Sequence, residues 1–414
     1  MKVILLLALV FNSAWAQELP NPLKLGQALA FSNGQSLTQQ QQYLTIKNTQ
    51  QQLDDLNGLY TTRATFDLKL AGRSDYNKNT NNSHAFVYLK KTLFDQQIEI
   101  SKTSQLSNIA NATLSLKQVQ HDKSINIMRR FFDIVLADMS YETALEKLAM
   151  AAIHEGRVKD DYNVQDASEV DLLEKQANTQ LSQIERLKAE SAQIKTRAAL
   201  AQSLNLSYSE RPDDVSKPNY KHLFKRQLAE FEHYQQKLSD NPELKQLQQS
   251  LLTIKTQISQ EKDNLDIVLS SNVRLGEQAY QREKNGHWRV GLNLSMPFGV
   301  DAKKSSKMSK LQLDIEQLQL DIKQHQQSIE TNALDYYLTL KSLRQTHKAL
   351  LIELDYRDLY LEKARANYEM EIKSDIGNAM INYTDSERKL AENEFDYVIT
   401  LKQLHHLIGD NYEI

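Results

Sequence analysis

Six prolines punctuate this chain, at Pro20, Pro22, Pro212, Pro218, Pro242 and Pro297, and their placement restricts the fold more than any other feature. Proline is excluded from helix interiors, because it removes a backbone donor and its ring strikes the preceding turn. Two long stretches without it, 96–163 and 302–371, consist otherwise of helix formers. A helix over either stretch would extend about 100 Å. The second carries an apolar seam at steps of three and four, from Leu311, Ile315, Leu318 and Ile322 through His325, Ile329, Ala333 and Leu340 to His347 and Leu354. That is coiled-coil spacing. A second line through Leu313, Leu320, Leu334, Leu338 and Leu359 predicts packing on two sides, as inside a ring or bundle.

Each long helix follows segments of a different period. RATFDLKL at 63–70 sets Ala64, Phe66, Leu68 and Leu70 against Arg63, Thr65, Asp67 and Lys69. WRVGLNLSM at 288–296 sets Trp288, Val290, Leu292, Leu294 and Met296 against Arg289, Gly291, Asn293 and Ser295. Strict alternation predicts strands with one apolar and one polar face. Weaker partners at 85–94 and 267–278 complete two hairpins, with strands over 61–71 and 85–94 and over 267–278 and 288–297. The Asn- and Ser-rich stretch 72–84 and the polar stretch 280–286 read as their links.

These parts occur twice in the same order. LTIK at 44–47 returns at 252–255, and LFD at 93–95 is answered by PFG at 297–299. YNVQDASEV at 162–170 matches YEMEIKSDI at 368–376. The chain therefore divides into a first repeat over 17–206, with a long helix over 96–163 and a return helix over 167–205, and a second over 242–414, with helices over 302–371 and 375–408. The polar segment 207–241 links them. Leading helices near 36–57 and 242–266 make up the length that the shorter return helices lack, giving two full columns per repeat. Asp95 and Asp301 are the expected N-caps of the long helices, and Ser168 and Ser374 those of the returns. Asp171 and Asp375 are expected in the first turns, where the helix dipole favours negative charge.

Residues 1–16 read as a secretory signal: MK, an apolar run, then the small-residue ending NSAWA. Beyond Gln17 no apolar stretch is long enough for a membrane-spanning helix, so a membrane location would require β-strands. Four alternating strands of about ten residues match the span of an outer-membrane strand. Tyr60, Tyr76, Phe94, Tyr280, Trp288 and Phe298 fall near strand ends, where aromatic girdles lie. Four strands cannot close a barrel, so several chains would have to combine. The predicted class is mainly α with membrane β.

Composition removes other functions. There is no cysteine, hence no disulfide, thiol catalysis, thiolate metal site or N-terminal lipid anchor. A net charge of −3 offers no basic field for nucleic acid. Hydrophobic residues make up 40%, lean for a compact globule and suited to helices burying narrow stripes. No metal-ligand, nucleophile-elbow or phosphate-loop motif is present, so no enzymatic activity, cofactor or metal is expected. The adjacent His405 and His406 read as surface residues, and His325 and His347 as packed seam positions.

The duplicated helix–strand–strand–long-helix–helix order, the LFD and PFG junctions and the segments around Ser168 and Ser374 resemble the outer-membrane efflux protein family, the TolC-like exit ducts of Gram-negative bacteria. The resemblance spans about residues 23–409. It implies a homotrimer whose strands form one barrel in outer-membrane lipid and whose helices form a periplasmic tunnel. It further implies a periplasmic membrane-fusion adaptor and an inner-membrane pump as partners, in tripartite efflux or type I secretion. On this reading Phe66, Leu68, Leu292 and Leu294 face lipid, and Asp67, Lys69, Arg289 and Asn293 face the lumen. Gln165, Ser168, Asp171, Glu371, Ser374 and Gly377 lie at the periplasmic tips toward the adaptor, and Lys373 and Asp375 contribute to tunnel closure. The family's usual glycine three residues before each tip serine is replaced by Gln165 and Glu371, and its aspartate pair falls on Gly377 and Met380. The competing expectation is a soluble periplasmic adaptor or coiled-coil scaffold without a barrel.

Overall fold

A computed structural model of the chain describes residues 19–31, 37–75, 78–81, 83–278, 287–297, 302–370 and 375–410. The expected signal, Tyr76, Tyr280, Phe298, Asp301, Glu371, Lys373 and Ser374 lie outside these residues. Two helices of 68 residues, α3 (Gln96–Asn163) and α8 (Ala302–Glu369), set the length of the molecule at about 100 Å. Asp95 starts α3: its carboxylate accepts from the amides of Gln97 and Ile98 at 3.0 and 3.3 Å.

Shorter helices lie end to end along each long one. α2 (Leu37–Gly58) and α4 (Glu169–Ser203) pack on α3, while α7 (Pro242–Lys262) and α9 (Ile376–Leu407) pack on α8. The repeats join where α3 meets α7 and α9. Against α7 the contact is polar: Asn111 donates to Ser250 at 2.9 Å, and Thr253 donates to Ser107 at 2.6 Å. Against α9 it is aromatic, with Phe132 and Phe395 stacked at 4.2 Å. On α8 the seam residues Ile329, Ala333, Leu340 and His347 are buried, whereas Leu313, Leu320, Leu334, Leu338 and Leu359 remain exposed on a single chain.

A four-stranded antiparallel sheet caps one end. Its order is β1 (Arg63–Lys69), β4 (His84–Asp95), β5 (Val268–Gln278), β6 (Trp288–Ser295), so the two hairpins pair through their inner strands. The stretch 72–84, expected to be a loop, contains a small hairpin of β2 (Gly72–Asp75) and β3 (Lys78–Asn81). Its strands are polar throughout, so backbone pairing forms without the alternation that would announce it. A short N-terminal helix, α1 (Leu25–Phe31), lies against α3.

The segment 207–241 is more than a link. It folds into α5 (Lys221–Lys225) and α6 (Phe231–Lys237), and Tyr220, Leu223 and Tyr234 enter the main core beside Phe131, Phe132 and Phe395. Near the N-terminus Leu23, fully buried, forms an isolated parallel bridge with Val215. Polar residues that outnumber the anchors hide this belt from composition. Asn241 then joins two helices at once: its Oδ1 caps α7 by accepting from Leu244 N at 2.9 Å, and its Nδ2 donates to Leu407 O at the end of α9 at 3.0 Å.

His405 and His406 depart from the surface placement expected of them, whereas His347 is packed on the seam as expected. His406 is half-buried and stacked on His121 of α3 at 3.4 Å, with Nε2 2.8 Å from Gln118 Oε1. His405 is likewise no surface residue; it stands edge-on to Tyr234 and 3.1 Å from Asp410. Both lie where α9 meets the belt and α3, a tertiary crowding that adjacent sequence positions do not reveal. His347 is buried between Glu394, 3.2 Å away, and the ring of Phe224, stacked at 3.7 Å.

Candidate functional site

Two regions carry the sequence-derived candidates: the sheet and the helical reversals. In an antiparallel sheet directly opposed residues share a face. The register aligns Phe66 with Val87, Leu275 and Trp288, and aligns Ala64 with Leu89, Val273 and Val290. Leu68, Leu292 and Leu294 follow by alternation on that same face. Phe66, Leu68, Leu292 and Leu294 are thus brought together across both repeats, and all four are exposed, Leu292 by 72%.

Asp67, Lys69, Arg289 and Asn293 share the opposite face. There Thr65, Tyr88, Arg274 and Arg289 form one row, and Asp67 stands 3.3 Å from His84. Phe86 is the exception on this polar side. It is buried between the rings of His84 and Tyr88, with the Arg274 guanidinium 4.6 Å from its centroid. Opposite it Gly276 takes φ 139°, and a Cβ there would strike the Ala85 carbonyl. Among the described residues β1 pairs only with β4 and β6 only with β5, leaving both sheet edges open. Tyr60, just before β1, donates to Glu99 Oε1 at 2.8 Å and lies under Lys102, fastening the hairpin to the start of α3. Burial and the Glu99 hydrogen bond push its phenol up to about 12.

At the far end the chain reverses between α3 and α4. Gln165 adopts φ 68°, the left-handed region, which explains why glycine suits this position: a side chain there is strained by about 1–2 kcal/mol. Ser168 caps α4 in a reciprocal box. Its hydroxyl accepts from the Asp171 amide at 3.2 Å, and the Asp171 carboxylate accepts from Ser168 N at 3.1 Å. The Ser168 hydrogen bonds hold the Asp171 carboxyl below the usual range.

The second reversal differs from expectation in two ways. Asp375 is not in the first turn of α9 but is its N-cap, accepting from Asn378 N at 3.4 Å. A carboxylate caps as well as the serine one residue earlier, so the helix begins where Asp375 can reach the exposed amides. Gly377, expected at a surface for partner contact, is buried against Met150 of α3. Met380 packs in a small cluster with Leu361, Ala364 and Ala379 between α8 and α9.

Among the described residues no group of three His, Asp or Glu could hold a metal ion, and no helix is long and apolar enough to cross a membrane. No protein-family model matches the sequence, and comparison with curated proteins finds no match. Solved structures do match along nearly the whole chain. CusC, studied for folding and transmembrane channel formation, superposes with a TM-score of 0.75 over 98% of this chain and 96% of its own at 14% identity. The chain has the TolC-like fold of the outer-membrane efflux channels. The CmeC outer membrane channel of Campylobacter jejuni gives 0.74 at 12% identity, over 94% of this chain and 86% of its own. VceC, an outer membrane protein of Vibrio cholerae, gives 0.71 at 11% identity, over 94% and 97%. In a TolC-like fold the sheet and the reversals are opposite ends of one long element, and the candidate residues sit at both.

Proposed function

We propose that this protein is an outer-membrane exit duct, a passive channel that takes cargo from an inner-membrane pump through a periplasmic adaptor. The observation that carries this reading is the sheet: one face mainly apolar and largely exposed across both repeats, two open edges among the described residues, and about 100 Å of helix below. Lipid accepts the apolar face but not the edges, which must pair with other copies of the chain. Three copies bring twelve strands, an even number large enough to leave a polar lumen. Phe66, Leu68, Leu292 and Leu294 then face lipid, and Asp67, Lys69, Arg289 and Asn293 face the lumen.

The reversals around Gln165–Asp171 and 371–377 lie at the periplasmic end on this reading and meet the adaptor. Lys373 and Asp375 contribute charge contacts there. The signal over 1–16 accounts for export to the outer membrane. A soluble scaffold leaves the exposed apolar rows without a purpose. Fractionation of cells decides between the two: the protein should remain with outer membranes through a high-salt wash and require detergent for release. Quantitative recovery in the soluble periplasmic fraction would remove the duct.

A further inference from the structure

The polar face of the sheet holds more charge than the alternation of β1 and β6 announces. The inner strands add Lys90 and Arg274 to Arg63 and Arg289 of the outer ones, and the register sets the four together. Arg63 stands directly opposite Lys90, and in the next row of the same face Arg274 stands directly opposite Arg289. Residues two apart along a strand are separated by about 7 Å, so the two rows form one band of positive charge across the middle of the sheet. Arg63, Lys90 and Arg289 are exposed.

Like charges directly opposed on neighbouring strands destabilise a sheet. Here that arrangement occurs twice. Among the described residues none of the four cations forms an ion pair, and Arg274 rests only on the ring of Phe86. Two carboxylates fall in the same alternation, and both are engaged elsewhere: Asp67 with His84 at 3.3 Å, and Asp95 in capping α3. The counter-charge that would relieve the band therefore comes from outside the described chain. A passage lined by one sign of charge focuses its field and concentrates ions of the opposite sign. Rings of Lys and Arg select anions in this way.

We propose that this band is an anion-selective filter, with Arg63, Lys90, Arg274 and Arg289 as its selectivity-determining residues, and that the cargo is a class of organic anions bearing carboxylate, sulfonate or phosphate groups. The proposal rests on the duct reading and narrows it to one substrate class. Three copies of the chain would line the lumen with twelve such cations, four from each.

The test uses the full-length protein in planar bilayers under a potassium chloride gradient, where the reversal potential gives the ratio of chloride to potassium permeability. The parent should favour chloride severalfold, less so as ionic strength rises. Lys90→Gln with Arg289→Gln removes one cation from each opposed pair and should bring the ratio close to one. Lys90→Glu with Arg289→Glu should reverse the preference. Lys91→Gln is the control: Lys91 follows Lys90 in β4 but shares the opposite face with Leu292, and its loss should leave the ratio unchanged. The neutralised variant loses a repulsion and should unfold no earlier than the parent. A second readout needs no current. Pyranine, a trisulfonated dye, should bind the detergent-solubilised parent at low salt, with an affinity that falls severalfold in Lys90→Gln with Arg289→Gln and is kept in Lys91→Gln. A parent that conducts without preference, or prefers potassium, overturns the filter and leaves the duct standing. A permeability ratio or dye affinity that the neutralised variant does not change, or that Lys91→Gln changes equally, overturns it as well. Earlier unfolding of the neutralised variant would make the band a structural feature and overturn its role in selection. Recovery of the parent among soluble periplasmic proteins would instead refute the duct, and the anionic cargo with it.

Discussion

Asn241 shows how much one side chain can organise here. It is 3% exposed, caps α7 and satisfies the last carbonyl of α9, so both ends of a column depend on it. Replacing it with alanine removes the cap and leaves the half-buried Leu407 carbonyl without this donor. Asn241→Ala should therefore destabilise the fold by about 2 kcal/mol, read by denaturant or thermal unfolding in detergent. The stacked histidines beside it give a dependence on pH. Burial first, then the charges of His406 and Lys402, push His121 down to about 3 from an ordinary value of 6.5. His406 is also lowered by burial, against the opposing pull of Asp122 and Glu243. Both rings are held neutral in the fold and protonate more readily in the unfolded chain. Their contribution is fully present above pH 6.5 and is lost progressively as pH falls toward 3. Thermal unfolding should weaken over that window, and His121→Asn should flatten the decline; an equally steep decline in that variant would place the titration elsewhere.

At the scale of elements the strands offer the sharpest contrast, because neighbouring residues point to opposite faces. Leu292 lies on the apolar face of β6 and Asn293 on the polar one. Under the duct reading, Leu292→Arg should impair membrane assembly at a cost of about 2–4 kcal/mol near the bilayer midplane. Asn293→Arg should assemble and change conductance instead. Equal behaviour of the two variants in heat-resistance gels and bilayer recordings would refute the orientation of the sheet. The reversal between α3 and α4 admits a milder prediction. Ser168→Ala removes one half of the capping box and should cost about 1 kcal/mol, read in the unfolding midpoint, without altering the strands.

For the whole molecule the open features point outward in the same sense. Among the described residues the sheet has two unpaired edges, and α8 leaves Leu313, Leu320, Leu334, Leu338 and Leu359 uncovered, while α4 leaves Leu173, Leu181, Ile184 and Leu187 uncovered. α4 and α8 are the outer columns of the helical layer, since α3 and α9 lie between them. Copies arranged in a ring would set the α4 edge of one beside the α8 edge of the next, just as β1 would meet β6. Native mass measurement in detergent should return a trimer. A stable monomer would be incompatible with a closed barrel of these strands.

The helix-dominated fold with its small antiparallel sheet was legible in the sequence because it rests on local periods. Steps of three and four along α8 and steps of two along β1 and β6 follow from backbone geometry within a few residues, and proline marks where they stop. The duplication made the order of elements readable a second time. What the tertiary structure alone decided involves residues far apart in the chain. The pairing of β4 with β5 sets which faces of the two repeats coincide, and neither strand has an alternation clean enough to state it. The belt enters the core through Tyr220, Leu223 and Tyr234, three anchors in a polar segment. The cap of α9 falls on Asp375 rather than Ser374 because neighbouring polar residues compete for the same amides. His121 with His406, and Met150 with Gly377, meet across more than two hundred positions, a proximity that only the packing of α3 on α9 creates.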